Sequence, residues 1–171
     1  MPTLPHRKLI IIWHSRTGSA RQMAEAAHKG AQDVARELSA ESRFQAVLCQ
    51  AAQTTAQDLL EADGFIFCAP ENLGSLSGEM KEFFDRCYYD VLERLNGRLY
   101  AVLIAAGSDG QGAVRQTEKI CTGWRLEAIA PPHIAITHAQ SPEEITAPKE
   151  IGPEDRARCK EIGGTLAALL L

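Results

Sequence analysis

An unbroken apolar run, Leu9-Ile10-Ile11-Ile12-Trp13, is followed at once by a polar turn holding a single glycine and then by helical periodicity. A β-rich run with no polar alternation is buried on both faces, which is the condition of a strand inside a parallel sheet covered by helices. From Ala20 onward, Met23, Ala24, Ala27, Ala31, Val34, Ala35 and Leu38 recur every three or four residues, the apolar face of an amphipathic helix. Strand, turn and helix make one unit, and few architectures start this way.

The same grammar repeats. A weaker strand at 44–48 precedes a short helix at 55–62, opened by the capping-box spacing of Thr55 and Asp58. Phe65-Ile66-Phe67-Cys68 is a third strand after the turn Asp63-Gly64. Met80, Phe83, Phe84, Cys87, Tyr88, Val91, Leu92 and Leu95 then predict a helix that runs to a left-handed stop at Asn96-Gly97. Leu99 to Ile104 is a fourth strand, and Val114, Thr117, Ile120, Cys121 and Trp124 mark a fourth helix. A fifth strand lies within 126–136, where Pro131-Pro132 must interrupt it or push it to an edge. Residues 138–152 read as one long irregular connection, and Pro153, Glu154 and Asp155 open a terminal helix. The expectation is an α/β chain with a doubly wound, five-stranded parallel sheet. Its order is either 2-1-3-4-5 or that of dinucleotide-binding domains, and both place ligands beyond the carboxyl ends of the strands. With 171 residues and 45% hydrophobic content, residues 1–171 are expected to form one domain.

Charge narrows the partners. A net charge of −4 with scattered Lys and Arg provides no basic footprint, so nucleic acid is not expected. No apolar run approaches the roughly 20 residues that span a bilayer. The short apolar stretch after Met1 to Lys8 lacks the length and cleavage site of a signal peptide, so no membrane insertion and a cytoplasmic location are expected. The five cysteines are widely spaced with no C-x-x-C pair and read as reduced core residues. His133 and His138 would fall on opposite strand faces, and no metal site is expected. His14 reads as structural, His28 as solvated, and the acids Glu143, Glu144, Glu150, Glu154 and Asp155 as a solvated rim.

The loops after the first, third and fourth strands are therefore the search area. In the first, Ser15, Thr17 and Ser19 surround Gly18 at a helix start. Unpaired N–H donors, the positive helix end and hydroxyls can hold a phosphate there without a lysine, although the same residues also cap helices that bind nothing. The loop has neither the Gly-Lys-Ser/Thr of a P-loop nor the G-x-G-x-x-G of a dinucleotide fold. Gly107 to Gly112 carries its glycines in the reverse order and follows the fourth strand. The stretch Gly74-Ser75-Leu76-Ser77-Gly78 places Leu76 where a nucleophile elbow needs serine, which argues against a hydrolase; Ser77 reads instead as a helix cap. A phosphorylation receiver would need acids at the ends of the first and third strands, where Trp13-His14-Ser15 and Cys68-Ala69-Pro70 stand.

Two of these loops resemble a known family. Ser15-Arg16-Thr17-Gly18-Ser19-Ala20 is similar to the T-x-T-G-x-T phosphate loop of flavodoxins. Residues Pro70, Gly74, Ser77, Gly78, Met80 and Lys81 fit the P-x-x-x-G-x-x-S-G-x-[ML]-K pattern of flavodoxin-like NAD(P)H-dependent FMN and quinone reductases. The similarity runs from about Lys8 to Ala130. It implies the flavodoxin-like order 2-1-3-4-5 and an FMN cofactor whose phosphate meets Ser15, Arg16, Thr17, Gly18, Ser19 and Ala20. Pro70, Glu71, Asn72, Leu73 and Gly74 would border the flavin ring, together with Ala106, Gly107, Ser108, Asp109 and Gly110 from the next loop. NADH or NADPH would be the co-substrate and a quinone, flavin or similar small molecule the electron acceptor, with no catalytic side chain because the flavin carries the chemistry. The resemblance also implies a homodimer or homotetramer, with 138–152 reaching a neighbour or covering the ring. Two departures matter: Ala20 lacks the last hydroxyl of the flavodoxin loop, and neither 69–78 nor 105–112 contains Trp or Tyr. Electron-carrier flavodoxins, the alternative reading, usually sandwich the ring between such aromatics.

Overall fold

The structure is a computed structural model, and it describes residues 5–171. Strands β1 (Arg7–Trp13), β2 (Phe44–Gln50), β3 (Gly64–Asn72) and β5 (Leu99–Ala106) pair in parallel in the order β2-β1-β3-β5. The fifth place beside β5 is shared by β6 (Glu127–Ala128) and β7 (His133–Ile136), both parallel to it. Pro131-Pro132 falls in the gap between these halves, because proline cannot donate to the ladder. Counted as one interrupted strand, β6 and β7 complete the flavodoxin-like order 2-1-3-4-5. The remaining strand, β4 (Ser75–Leu76), is a two-residue antiparallel arm on the end of β3.

Strand side chains alternate between two cores, as a period of two requires. Ile10, Ile12, Phe65, Phe67, Val102 and Ile104 face a core covered by α2 (Ala56–Glu61), α3 (Gly78–Cys87) and α4 (Gln111–Gly123). Leu9, Ile11, Ile66, Cys68, Ala101 and Leu103 face the other, covered by α1 (Ser19–Glu37) and α6 (Pro153–Leu170). The first core is aromatic: Phe67 lies 5.1 Å from Phe84 and 6.3 Å from Trp124 between ring centroids. The second is built of small residues, so its helices approach closely. A Cβ added to Gly163 would stand 1.9 Å from the Ala27 carbonyl oxygen, so that contact between α6 and α1 admits no side chain at this position.

Several local expectations hold, and several do not. Thr55 and Asp58 form the capping box of α2. The helix expected to reach residue 95 ends at Cys87; Val91 and Leu95 stay buried, but in turns, and Glu93 takes a left-handed φ of 62° that no α-helix accommodates. Residues 138–152 are not wholly irregular, since Pro142–Thr146 forms a helix, α5, capped by a Ser141–Glu144 box. The His28 ring, expected to be solvated, pairs instead with the Ala46 carbonyl of β2 at 3.0 Å.

Candidate functional site

At the carboxyl end of β1 the chain turns through Ser15 to Gly18 into α1. Gly18 sits at the N-cap with φ 106°, a left-handed conformation that suits glycine, and its N–H donates to Ser15 Oγ at 3.1 Å. The first helical hydrogen bond runs from Gln22 N–H to the Gly18 carbonyl at 3.1 Å. The N–H groups of Ser19 and Ala20 therefore point out of the helix start without an intrahelical acceptor. Ser19 itself is 4% exposed, and among the described residues its Oγ is the one buried side-chain oxygen or nitrogen with no hydrogen-bond partner. An orphaned buried hydroxyl costs free energy unless something accepts or donates to it.

These groups wall a cavity of about 440 Å³ at the carboxyl end of the sheet, a volume within the range of small-molecule sites. Ser15, Arg16, Thr17, Ser19 and Ala20 line one end; Pro70, Glu71, Asn72, Ala106 and Gly107 line the other. Of the remaining sequence-derived residues, Gly18 belongs to a neighbouring cleft on the outer side of the same loop. Leu73, Gly74, Ser108, Asp109 and Gly110 are not part of the cavity wall. Leu73 and Gly74 are the apex of the β3–β4 hairpin, with φ of 54° and 74°, and Leu73 projects fully into solvent. Both central residues lying at positive φ matches a type I′ turn, which twists with its strands but normally selects Asn or Gly.

Glu71 ties the second loop to the third. Its Oε1 accepts from Gly110 N–H at 3.0 Å and its Oε2 from Ala113 N–H at 3.1 Å, placing a carboxylate at the positive end of α4. Gln116 accepts from Leu76 N–H at 2.6 Å and clamps the same hairpin from further along α4. His14 joins the first loop to α3: its Nδ1 pairs with Ser77 Oγ at 2.9 Å and its Nε2 with Glu79 at 3.0 Å. Burial lowers the His14 pKa, and the Glu79 carboxylate only partly opposes it. Ser77 does stand at the N-cap of α3, yet its hydroxyl serves His14 rather than the helix N–H groups.

The cavity has a third wall that no local motif announces. Thr137, Ala139, Ile145, Thr146 and Lys149 line it from the carboxyl side of the chain. This strap is fastened to the phosphate-type loop by Lys149 N–H donating to the Thr17 carbonyl at 2.8 Å. Gln22 holds it twice, donating to the Lys149 carbonyl at 2.7 Å and accepting from Ile151 N–H at 3.1 Å. Of the segment 138–152, Ala139, Ile145, Thr146 and Lys149 close one side of the cavity. Among the described residues, no cluster of His, Cys, Asp and Glu is arranged to hold a metal ion, and no helix is long and apolar enough to cross a membrane.

Residues 14–141 match the family described as NADPH-dependent FMN reductase. The chain belongs to that family. The match spans all three cavity-forming loops and the first residues of the strap. Among curated proteins, a flavodoxin of Aquifex aeolicus is 31% identical over 61% of this chain and 53% of its own length. An NAD(P)H dehydrogenase (quinone) of Acidithiobacillus ferrooxidans is 30% identical over 61% of this chain and 60% of its own. The chain thus spans only a little more than half the length of the curated relatives it matches. Among solved structures, a flavodoxin, WrbA-like protein from Agrobacterium tumefaciens superposes with a TM-score of 0.71 at 14% identity, covering 96% of this chain and 97% of that one. An oxidoreductase from Corynebacterium diphtheriae superposes with a TM-score of 0.71 at 20% identity over 96% and 97%. At these identities the likeness is one of fold, and the fold of this NADPH-dependent FMN reductase family member is flavodoxin-like.

Proposed function

We propose that this chain binds FMN in the 440 Å³ cavity and works as an NAD(P)H-dependent oxidoreductase that passes electrons to a quinone, a free flavin or a similar small acceptor. The observation that carries this reading is Ser19: a buried, unpartnered hydroxyl beside free helix N–H groups is an unmet demand for an anionic oxygen. Ser15 and Thr17 add hydroxyls to the same end of the cavity, and Arg16 adds positive charge. The opposite end, with Pro70, Asn72, Ala106 and Gly107, presents small side chains and backbone suited to the edge of a flat ring. When bound, FMN supplies hydride acceptance and electron donation, and the protein supplies orientation and electrostatics.

The residues of the chain have separable tasks in this scheme. The Ser15–Ala20 loop anchors the phosphate, while Glu71 holds the β3–β4 hairpin against α4 so that the ring-side wall is rigid. The strap from Thr137 to Lys149 limits access of water and acceptor along one side. No Trp, Tyr or Phe lines the cavity, so a ring there keeps a face open to a second planar molecule, which favours a reductase over a carrier with a sandwiched flavin. The test is direct. Purified protein should be yellow or take up FMN stoichiometrically, and excess NADPH or NADH under anaerobic conditions should bleach it, with colour restored by a quinone. Failure to bind FMN would refute the cavity assignment; FMN bound but bleached by neither nucleotide would refute the reductase.

A further inference from the structure

Beside the Ser15–Gly18 loop lies a second cleft, of about 340 Å³, in which the flavin reading gives Trp13 and Arg21 no task. It shares Ser15, Arg16, Thr17 and Thr146 with the larger cavity, so the loop and the strap form a common wall between the two. Its own lining is distinctive: the half-buried indole of Trp13 at the end of β1, and the guanidinium-bearing residues Arg16 and Arg21. No Asp or Glu lines it, in a chain whose net charge is −4. Arg16 has no carboxylate within salt-bridge distance among the described residues, and Arg21 has only Glu25, at 3.6 Å between two well-exposed side chains. Such a pair is weak and readily exchanged for a stronger partner.

Two guanidinium groups favour a phosphoryl oxygen set, which they can engage in bidentate fashion. The accessible part of the half-buried Trp13 indole, which lines the same cleft, favours a nucleobase, by stacking. The geometry points to an adenosine-phosphate site in this outer cleft, with the phosphate held by Arg16 and Arg21 and the adenine against Trp13. It lies across the loop from the cavity wall formed by Ser19 and Ala20, and Trp13, Gly18, Arg21 and Pro148 line it without lining that cavity. The inference rests on the flavin reading only in that it is tested on FMN-loaded protein. Two natural molecules carry this chemistry. One is the 2′-phosphoadenosine arm of NADPH, arriving as a separate ligand; the other is the adenylate half of FAD, continuing from the flavin phosphate.

Calorimetric titration of FMN-loaded protein with adenosine 2′,5′-bisphosphate, ADP and inorganic phosphate distinguishes them. The expected result is saturable binding of at least one adenosine phosphate, at least about tenfold tighter than inorganic phosphate. Arg21→Gln should weaken it about tenfold or more, Arg21→Lys should weaken it less, and neither should change FMN stoichiometry. A preference for the 2′,5′-bisphosphate assigns the cleft to the pyridine nucleotide. Preference for ADP, with apoprotein binding FAD more tightly than FMN, assigns it to FAD. Equal affinity for all three anions overturns the nucleotide site, as does Arg21→Gln leaving every affinity unchanged. Because FMN occupancy is read on the same samples, failure here is separable from failure of the flavin assignment.

Discussion

Replacing Ser19 with alanine should make the empty protein more stable and the loaded protein weaker at holding its cofactor. In the structure the hydroxyl is buried without a partner. Removing a buried unsatisfied hydroxyl should return about 1–3 kcal/mol, and alanine is also the better helix former at the start of α1. For a chain of this size each kcal/mol moves the melting temperature by about 2–4 °C, so apoprotein carrying Ser19→Ala should melt a few degrees higher. If the hydroxyl donates to a bound phosphate, the same change forfeits a hydrogen bond to a charged group, worth about 1.5–3 kcal/mol, or roughly 10- to 150-fold in the FMN dissociation constant. Calorimetry on apoprotein and quenching of FMN fluorescence give the two values. An apoprotein that melts lower, or an FMN affinity that does not move, would show that the hydroxyl is satisfied in some other way and would remove the main support for the phosphate seat.

Other sites make equally definite statements. Gly163→Ala forces a Cβ into the Ala27 carbonyl, which is backbone and cannot swing aside, so thermal unfolding should show a loss of about 3 kcal/mol or more as α6 is pushed off α1. Leu73→Asn should raise stability by about 1 kcal/mol, because the leucine holds a left-handed φ of 54° while burying nothing; an unchanged or lower denaturation midpoint would refute the strain argument. Burial holds His14 below its usual pKa, so below about pH 6.5 the unfolded chain binds the extra proton more readily than the folded one. Stability should therefore fall as pH drops through that value, and His14→Gln should flatten this part of the melting-temperature profile.

The parts of the fold legible in the sequence are those where one segment carries its whole signal. Leu9 to Trp13 announces a doubly buried strand by composition alone, and Pro131-Pro132 marks the break between β6 and β7 because a missing donor is a local fact. The end of α3 was not legible: Val91 and Leu95 keep the helical spacing and remain buried, but they reach the core from turns. Helix α5 had a readable signal, Ser141 three residues before Glu144, the same box that Thr55 and Asp58 form. Most of the cavity wall was within reach, since the loops after β1, β3 and β5 follow from the topology. The strap was not, because what brings Thr137 to Lys149 there is a set of bonds from Thr17 and Gln22, more than a hundred residues away in sequence. Sequence alone places Glu71 in the loop after the third strand, but its two bonds to α4 depend on register between loops that only the assembled sheet sets.

The two-sided grip of Gln22 on Lys149 and Ile151 also bears on how the molecule is made. The loop that would seat the cofactor is synthesised more than a hundred residues before its outer wall. A growing chain can form β1, α1 and even β3 while that wall is still missing, so the cavity closes only after residues 149–151 have emerged. Gln22→Ala, which leaves the sheet and α6 in place, would loosen that wall and weaken the seat it closes.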